Sequence, residues 1–161
     1  MIKDIVALTY RMTQDREAAF DLAQEAFISA WENLRRFRGK SMFQGWLYRI
    51  ASNKTLNFLK KQSRRQTISI DSPSVGVVAS QTPSDNPEQL LQKVELQKNV
   101  LDFMAGLPVQ QRLVFDLRFY KGLAFEEITH ITGKALGTVK SHYREAVNKL
   151  RTFAKQRGWK S

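Results

Sequence analysis

The chain contains no cysteine. That excludes disulfides, thiolate metal sites and a cysteine nucleophile, and it suits a reducing compartment. Its two histidines, His130 and His142, fall on separate predicted helices. Neither a histidine-rich metal site nor a Ser-His-Asp arrangement can be assembled from them. No long apolar run is present: the N-terminal one is interrupted by Asp4 and is too short for a signal peptide or a membrane span. Acidic residues are also few. There are 15 Asp and Glu against 26 Lys and Arg, a formal net charge of +11 over 161 residues. Such an excess favours a polyanionic partner, either nucleic acid or an anionic membrane surface. The shortage of acid is greatest between Arg35 and Arg65, where ten Lys and Arg stand without one Asp or Glu.

What is present is helical patterning. Hydrophobic residues make up 42% of the chain, enough to build a core, so a wholly disordered chain is excluded. Ile5, Leu8 and Met12 recur at helical spacing. Asp15 is a good N-cap for a second helix reaching to about Leu34. That helix has an apolar stripe of Ala23, Phe27, Ala30, Trp31 and Leu34. A third helix starts near Ser41 to Phe43, with Phe43, Leu47, Ile50, Ala51 and Phe58 on a buried face. The composition then changes. Gln66 to Pro87 has no Lys or Arg and holds three of the four prolines, which reads as an extended linker. Asn86-Pro87 starts a fourth helix, with Leu90, Leu91, Val94, Leu101 and Met104 toward a core. Val109 to Tyr120 follows. Phe125 to Thr132 and Gly137 to about Gln156 are then joined by a tight glycine-containing turn, the helix-turn-helix pattern. The expected fold is all-α: two small helical domains, residues 1–65 and 88–161, joined by a flexible linker over 66–87.

Three polar faces stand out. On the second helix, Asp21, Gln24, Glu25, Ile28 and Glu32 form an acidic stripe around an isoleucine. It fits either a docking face for a basic protein or an ordinary solvated face. On the third, Arg49, Asn53, Asn57, Lys60 and Arg64 share one side. With Trp46 and Tyr48 nearby, this basic and aromatic stretch fits a groove for single-stranded nucleic acid, or a basic surface helix whose aromatics are core. On the last helix, Val139, Tyr143, Ala146, Val147, Leu150 and Phe153 form the inner stripe. Lys140, Ser141, Arg144, Glu145 and Asn148 face away, as major-groove readout needs.

These segments together are similar to a known family. DREAAFDLAQEAFISAWENL, FRGKSMFQGWLYRIASNK, LPVQQRLVFDLRFYKGLAFEEI and GTVKSHYREAVNKL resemble a bacterial RNA polymerase sigma factor of the extracytoplasmic-function class. The helix-turn-helix alone is weakly specific; the order of all the segments is the stronger signal. The resemblance implies that residues 1–65 dock on core polymerase and read and melt the promoter −10 element. It implies that residues 88–161 read the −35 element. Asp21, Gln24, Glu25, Ile28 and Glu32 would meet the clamp helices of the largest subunit, and the flap would be a further polymerase contact. Phe37, Arg38, Lys40, Ser41, Phe43, Trp46, Arg49, Asn53, Lys60, Lys61, Arg64 and Arg65 would handle −10 DNA, which is single-stranded once melted. The loop would take a flipped base, at a cost of a few kcal/mol that its pocket must offset. Thr138, Lys140, Ser141, His142, Arg144 and Glu145 would face −35 duplex.

The resemblance further implies an anti-sigma partner, no membrane insertion, a cytoplasmic and nucleoid-associated location, and no cofactor or metal. Three features depart from the family pattern. Met1 aligns inside the first helix of the N-terminal domain, so the helix that usually precedes it is absent from this sequence. Glu145 stands where arginine is common, and Ala124 and Ala135 stand where capping residues or proline are usual. No enzyme is expected. Gly133 to Gly137, GKALG, has the wrong order for a phosphate-binding loop, and Glu126-Glu127 suit a helix start without an acid/base role. The rivals to this reading are a simple helix-turn-helix regulator and a single-stranded RNA-binding module.

Overall fold

A computed structural model describes residues 2–37, 43–66 and 86–158. Arg38, Lys40 and Ser41 of the predicted base-flipping loop, and the greater part of the predicted linker, lie outside these described residues. Seven α-helices and one 3-10 turn account for the described residues, and there is no strand among them. They are α1 (Ile2–Thr13), α2 (Arg16–Glu32), the 3-10 turn Leu34–Arg36, α3 (Phe43–Gln66), α4 (Pro87–Ala105), α5 (Val109–Phe119), α6 (Phe125–Thr132) and α7 (Leu136–Gln156).

The helix ends follow the local chemistry. The Asp15 side chain accepts from the Ala18 N–H at 3.2 Å and starts α2. Asn86 accepts from the Glu88 N–H ahead of Pro87 and starts α4. Gly133 closes α6 at φ 71, in the left-handed region where a side chain would be strained. That turn sets the angle between α6 and α7.

The core is shared between the two halves of the chain. Ile5, Leu8 and Met12 of α1, Ala23, Ala26 and Ala30 of α2, and Leu47, Tyr48 and Ala51 of α3 form its first part. It continues without a break into Leu113, Val114 and Leu117 of α5, Ile128 and Ile131 of α6, and Val139 of α7. A second cluster of Phe103, Met104, Leu107, Phe115 and Ala146 holds α4 and α5 to α7. The alanines on the inner face of α2 allow α1 and α3 to approach closely. There the buried Thr9 hydroxyl reaches the Ala19 carbonyl at 3.0 Å and ties α1 to α2.

Three apolar assignments from the periodicity need correcting. Trp31 is 78% exposed and Leu34 is 44% exposed, so neither belongs to the core. The buried positions of α2 are Ala19, Leu22, Ala23, Ala26 and Ala30. α2 ends at Glu32 and the 3-10 turn begins at Leu34, which ends the spacing that would have turned Leu34 inward. Leu91 is 69% exposed, because burial on α4 is confined to its C-terminal end at Leu101, Phe103 and Met104.

The expected missing caps are observed. Ala124 and Ala135 occupy the N-cap positions of α6 and α7 in extended conformation, and neither helix has a side-chain cap. Ala124→Ser supplies an acceptor to the free N–H groups of α6 without disturbing the buried face. It is expected to raise stability by about 1 kcal/mol, seen as a thermal midpoint higher by a few degrees. An unchanged or lower midpoint would show that the first turn of α6 has no unmet donor.

Candidate nucleic-acid interface

The acidic face of α2 is open. Asp21, Gln24, Glu25 and Glu32 are exposed, with Ile28 half-exposed among them at 50%. The inner face of the same helix is filled by alanines and Leu22, which leaves this stripe without intramolecular work among the described residues. Exposed Trp31 and Phe20 extend the apolar content of the surface beyond Ile28.

On α3 the basic and the apolar residues of the stretch lie on opposite sides of one helix. Leu47, Tyr48 and Ala51 enter the core, while Arg49, Asn53, Asn57, Lys60, Lys61, Arg64 and Arg65 are exposed. Trp46 is partly buried in a cluster of three rings. Its ring centroid lies 5.2 Å from that of Phe37 and 5.7 Å from that of Phe43, and Phe37 and Phe43 meet edge to face at 5.7 Å. These contacts have favourable aromatic geometry. They bring together Phe37 and Phe43, the residues on either side of segment 38–42, with Trp46 packed against both. One end of the exposed stripe borders a cleft of about 760 Å3. Asn53, Asn57, Lys60 and Arg64 line one wall, and Val109 and Gln110 of α5 form the other.

On α7, Thr138, Lys140 and Arg144 are exposed at the N-terminal end, where a recognition helix meets base edges. Ser141 and His142 are partly buried, and the Nδ1 of His142 is enclosed without a hydrogen-bond partner among the described residues. Glu145 is exposed as well, and it makes a hydrogen bond within the protein. Its carboxylate accepts from the Gln111 side-chain amide at 2.6 Å, and the Gln111 carbonyl accepts from the Lys149 ammonium at 2.9 Å. This chain of bonds ties α7 to α5 and draws the Glu145 charge toward the protein.

Sequence reasoning missed a polar seam between the halves. Arg11 of α1 sends two N–H groups to both carboxylate oxygens of Asp116 on α5, at 2.6 and 3.0 Å. Asp116 is only 1% exposed. The Arg11 guanidinium also lies over the Tyr120 ring, 4.1 Å from its centroid. Burial pushes the Asp116 carboxyl above its ordinary range, against the pull of Arg11. Burial also disfavours the Arg11 charge, but Asp116 outweighs it and holds that pKa above its ordinary value. Two donors converging on two oxygens is the geometry of an ionised pair.

Further bonds cross the same seam. Arg112 donates to the Met12 carbonyl at 2.6 Å, Gln14 donates to the Leu101 carbonyl at 2.6 Å, and Lys121 meets Asp4 at 3.4 Å. A signal was available for Asp116: it interrupts the apolar run Leu113-Val114-Phe115-Asp116-Leu117 at an inward position. The partner side chain had no such signal.

Among the described residues, no group of His, Cys, Asp and Glu could hold a metal ion, and no helix is long and apolar enough to cross a membrane. What the geometry offers is two cationic faces on separate helices and one acidic face, an arrangement suited to binding.

Comparison with known proteins accounts for this division. Residues 2–65 match Sigma-70 region 2, and residues 103–152 match Sigma-70, region 4. The chain is 36% identical over 158 residues to the RNA polymerase sigma-H factor of Pseudomonas aeruginosa, covering 90% of this chain and 79% of that protein. It is 38% identical over 135 residues to the ECF RNA polymerase sigma-E factor of Escherichia coli, covering 80% and 71%. The fold superposes on the sigma factor RpoE, solved in complex with the anti-sigma factor NepR from Bartonella quintana. The TM-score is 0.77, with 24% identity, 96% of this chain and 91% of that one covered. The two matched regions and the extent of identity show that the chain belongs to the sigma-70 family, in its extracytoplasmic-function class, and acts as a sigma factor directing promoter-specific transcription initiation.

Proposed function

We propose that the three exposed faces divide the work of initiation. The α2 face of Asp21, Gln24, Glu25, Ile28 and Glu32 docks on the clamp helices of the polymerase largest subunit. The exposed side of α3, with Arg49 and Asn53 at its centre and Lys60, Lys61, Arg64 and Arg65 at its end, holds the melted non-template strand at −10. The segment from Phe37 to Phe43, braced by Trp46, takes a flipped base. The start of α7 reads −35 duplex through Lys140 and Arg144, with Thr138, Ser141 and His142 beside them. The second half of the chain also meets the polymerase flap. An anti-sigma protein is a further partner, as for the Bartonella quintana relative, and the site of action is the cytoplasm at the nucleoid.

One observation carries this reading. The acidic and basic faces lie on different helices, and each is exposed while the opposite face of its own helix is buried. A single-element DNA binder has no need of the acidic face. Glu145, bonded to Gln111, positions α7 rather than reading a base.

Charge reversal by Glu25→Lys is expected to abolish co-purification with core polymerase at unchanged helicity, since an exposed substitution leaves the fold within about 0.5 kcal/mol. Retained co-purification would refute the docking role. Arg144→Ala is expected to relax base preference at −35 by about 1–3 kcal/mol, while Glu145→Ala weakens all sequences evenly. Competition binding of holoenzyme to a −35 variant library reads both. An even loss for Arg144→Ala would make it a phosphate contact.

A further inference from the structure

The start of α7 carries the residues assigned to −35 duplex, yet no side-chain cap anchors that end of the helix. Its inner face buries Val139 and Ala146 completely. Such apolar contacts are non-directional and fix rotation about the helix axis only weakly. Rotation matters for readout. Side-chain tips lie about 5–6 Å from a helix axis, so a turn of about 20° moves them by about 2 Å. A binding constellation tolerates about 0.5 Å.

A directional tie lies one residue beyond Arg144. Glu145 and Lys149 stand four residues apart on α7, in the order and spacing at which a carboxylate and an ammonium pair directly along a helix. Here Gln111 of α5 is bonded to both. Its Nε2 donates to the Glu145 carboxylate at 2.6 Å, and its Oε1 accepts from the Lys149 ammonium at 2.9 Å. The opposite charges decide which end of the amide faces which partner. Bonds to charged groups are also the stronger and more directional kind. Gln111 is 7% exposed, so it is too enclosed to reach DNA, and losing either bond would leave a buried polar atom unpaired.

We infer that Gln111 is a positioning residue for −35 binding: from α5 it holds α7 at the rotation that presents Lys140 and Arg144, without itself touching DNA. The inference rests on the reading above in which the start of α7 meets −35 duplex. An α7 that rocks is competent for only a fraction of the time, and apparent affinity falls by that fraction for every sequence alike. Base preference stays with Arg144.

The test is a double-mutant cycle on the full chain in reconstituted holoenzyme. Gln111→Glu sets two carboxylates against each other and is expected to weaken promoter binding about tenfold, evenly across a −35 variant library. The rate at which bound complexes open, read by permanganate reactivity, is expected to change less than about twofold, because α7 has no part in melting. In the Glu145→Gln background the same Gln111→Glu is expected to cost less than about twofold, since amide and carboxylate have exchanged places and both bonds can form. An equal cost in both backgrounds would mean that the new carboxylate simply repels phosphate, and would overturn the inference. A library re-ranked by Gln111→Glu would overturn it too. The same cycle in thermal denaturation of the free chain involves no DNA, and coupling between positions 111 and 145 is expected there as well. No coupling in the free chain would refute the tie itself. Coupling there, with a parent holoenzyme indifferent to −35 sequence, would instead refute the −35 reading and with it the role of Gln111. Helicity by circular dichroism is the folding control. If Gln111→Glu does not fold, Gln111→Met decides: binding at least about threefold weaker, with Glu145→Ala then causing no further loss. Losses that simply add would overturn the inference.

Discussion

The structure depends on one constraint: a buried apolar core that crosses from the first half of the chain to the second, with a buried ion pair at its boundary. Leu47 and Ala51 of α3 belong to the same buried cluster as Leu113 and Val114 of α5 and Ile128 of α6. A core made this way gains roughly 25 cal/mol for each Å2 of apolar surface removed from water. The Arg11–Asp116 pair adds little net stability, because desolvating two charges costs about as much as their attraction returns. Its contribution is register. Only one sliding position of α1 against α5 pairs the two charges, and any other leaves Asp116 buried alone.

The same constraint sorts the surface. Every helix of the first half commits one face to the core, so the charges it carries collect on the remaining face. On α2 these are carboxylates around Ile28, and on α3 they are cations around Asn53. A net charge of +11 then becomes a pattern rather than a uniform field, with an acidic patch that a basic protein surface can find. On α7 the glycine turn at Gly133 and the Glu145–Gln111–Lys149 chain fix how the basic end is presented.

Much of this was legible in the sequence, for physical reasons that can be named. Helix existence followed from apolar spacing and from caps such as Asp15 and Asn86, all of which act locally. The exposed faces of α2, α3 and α7 followed from the same spacing. Leu34 was misplaced because periodicity cannot see where a helix gives way to a 3-10 turn, and Trp31, still inside α2, because the buried face of that helix is the narrower one of Ala19, Leu22, Ala23, Ala26 and Ala30. Leu91 was misplaced because periodicity cannot see that the first part of α4 goes uncovered. Trp46 could not be assigned from spacing, since one of its ring partners, Phe37, comes from before segment 38–42 and only Phe43 shares its helix. The seam was not legible at all. Arg11 and Asp116 are 105 residues apart, and no local rule pairs them.

The central claim is that one chain, seated on polymerase, reads two separate promoter elements in two different strand states. Selection of DNA from a random duplex library with the reconstituted holoenzyme, followed by permanganate footprinting of the recovered sequences, tests it most directly. The account predicts two short preferred blocks with centres about 25 base pairs apart, roughly 85 Å of duplex. Reactive thymines should appear only in the downstream block, and only when polymerase is present. A single preferred block, or equal selection by the chain without polymerase, would contradict it.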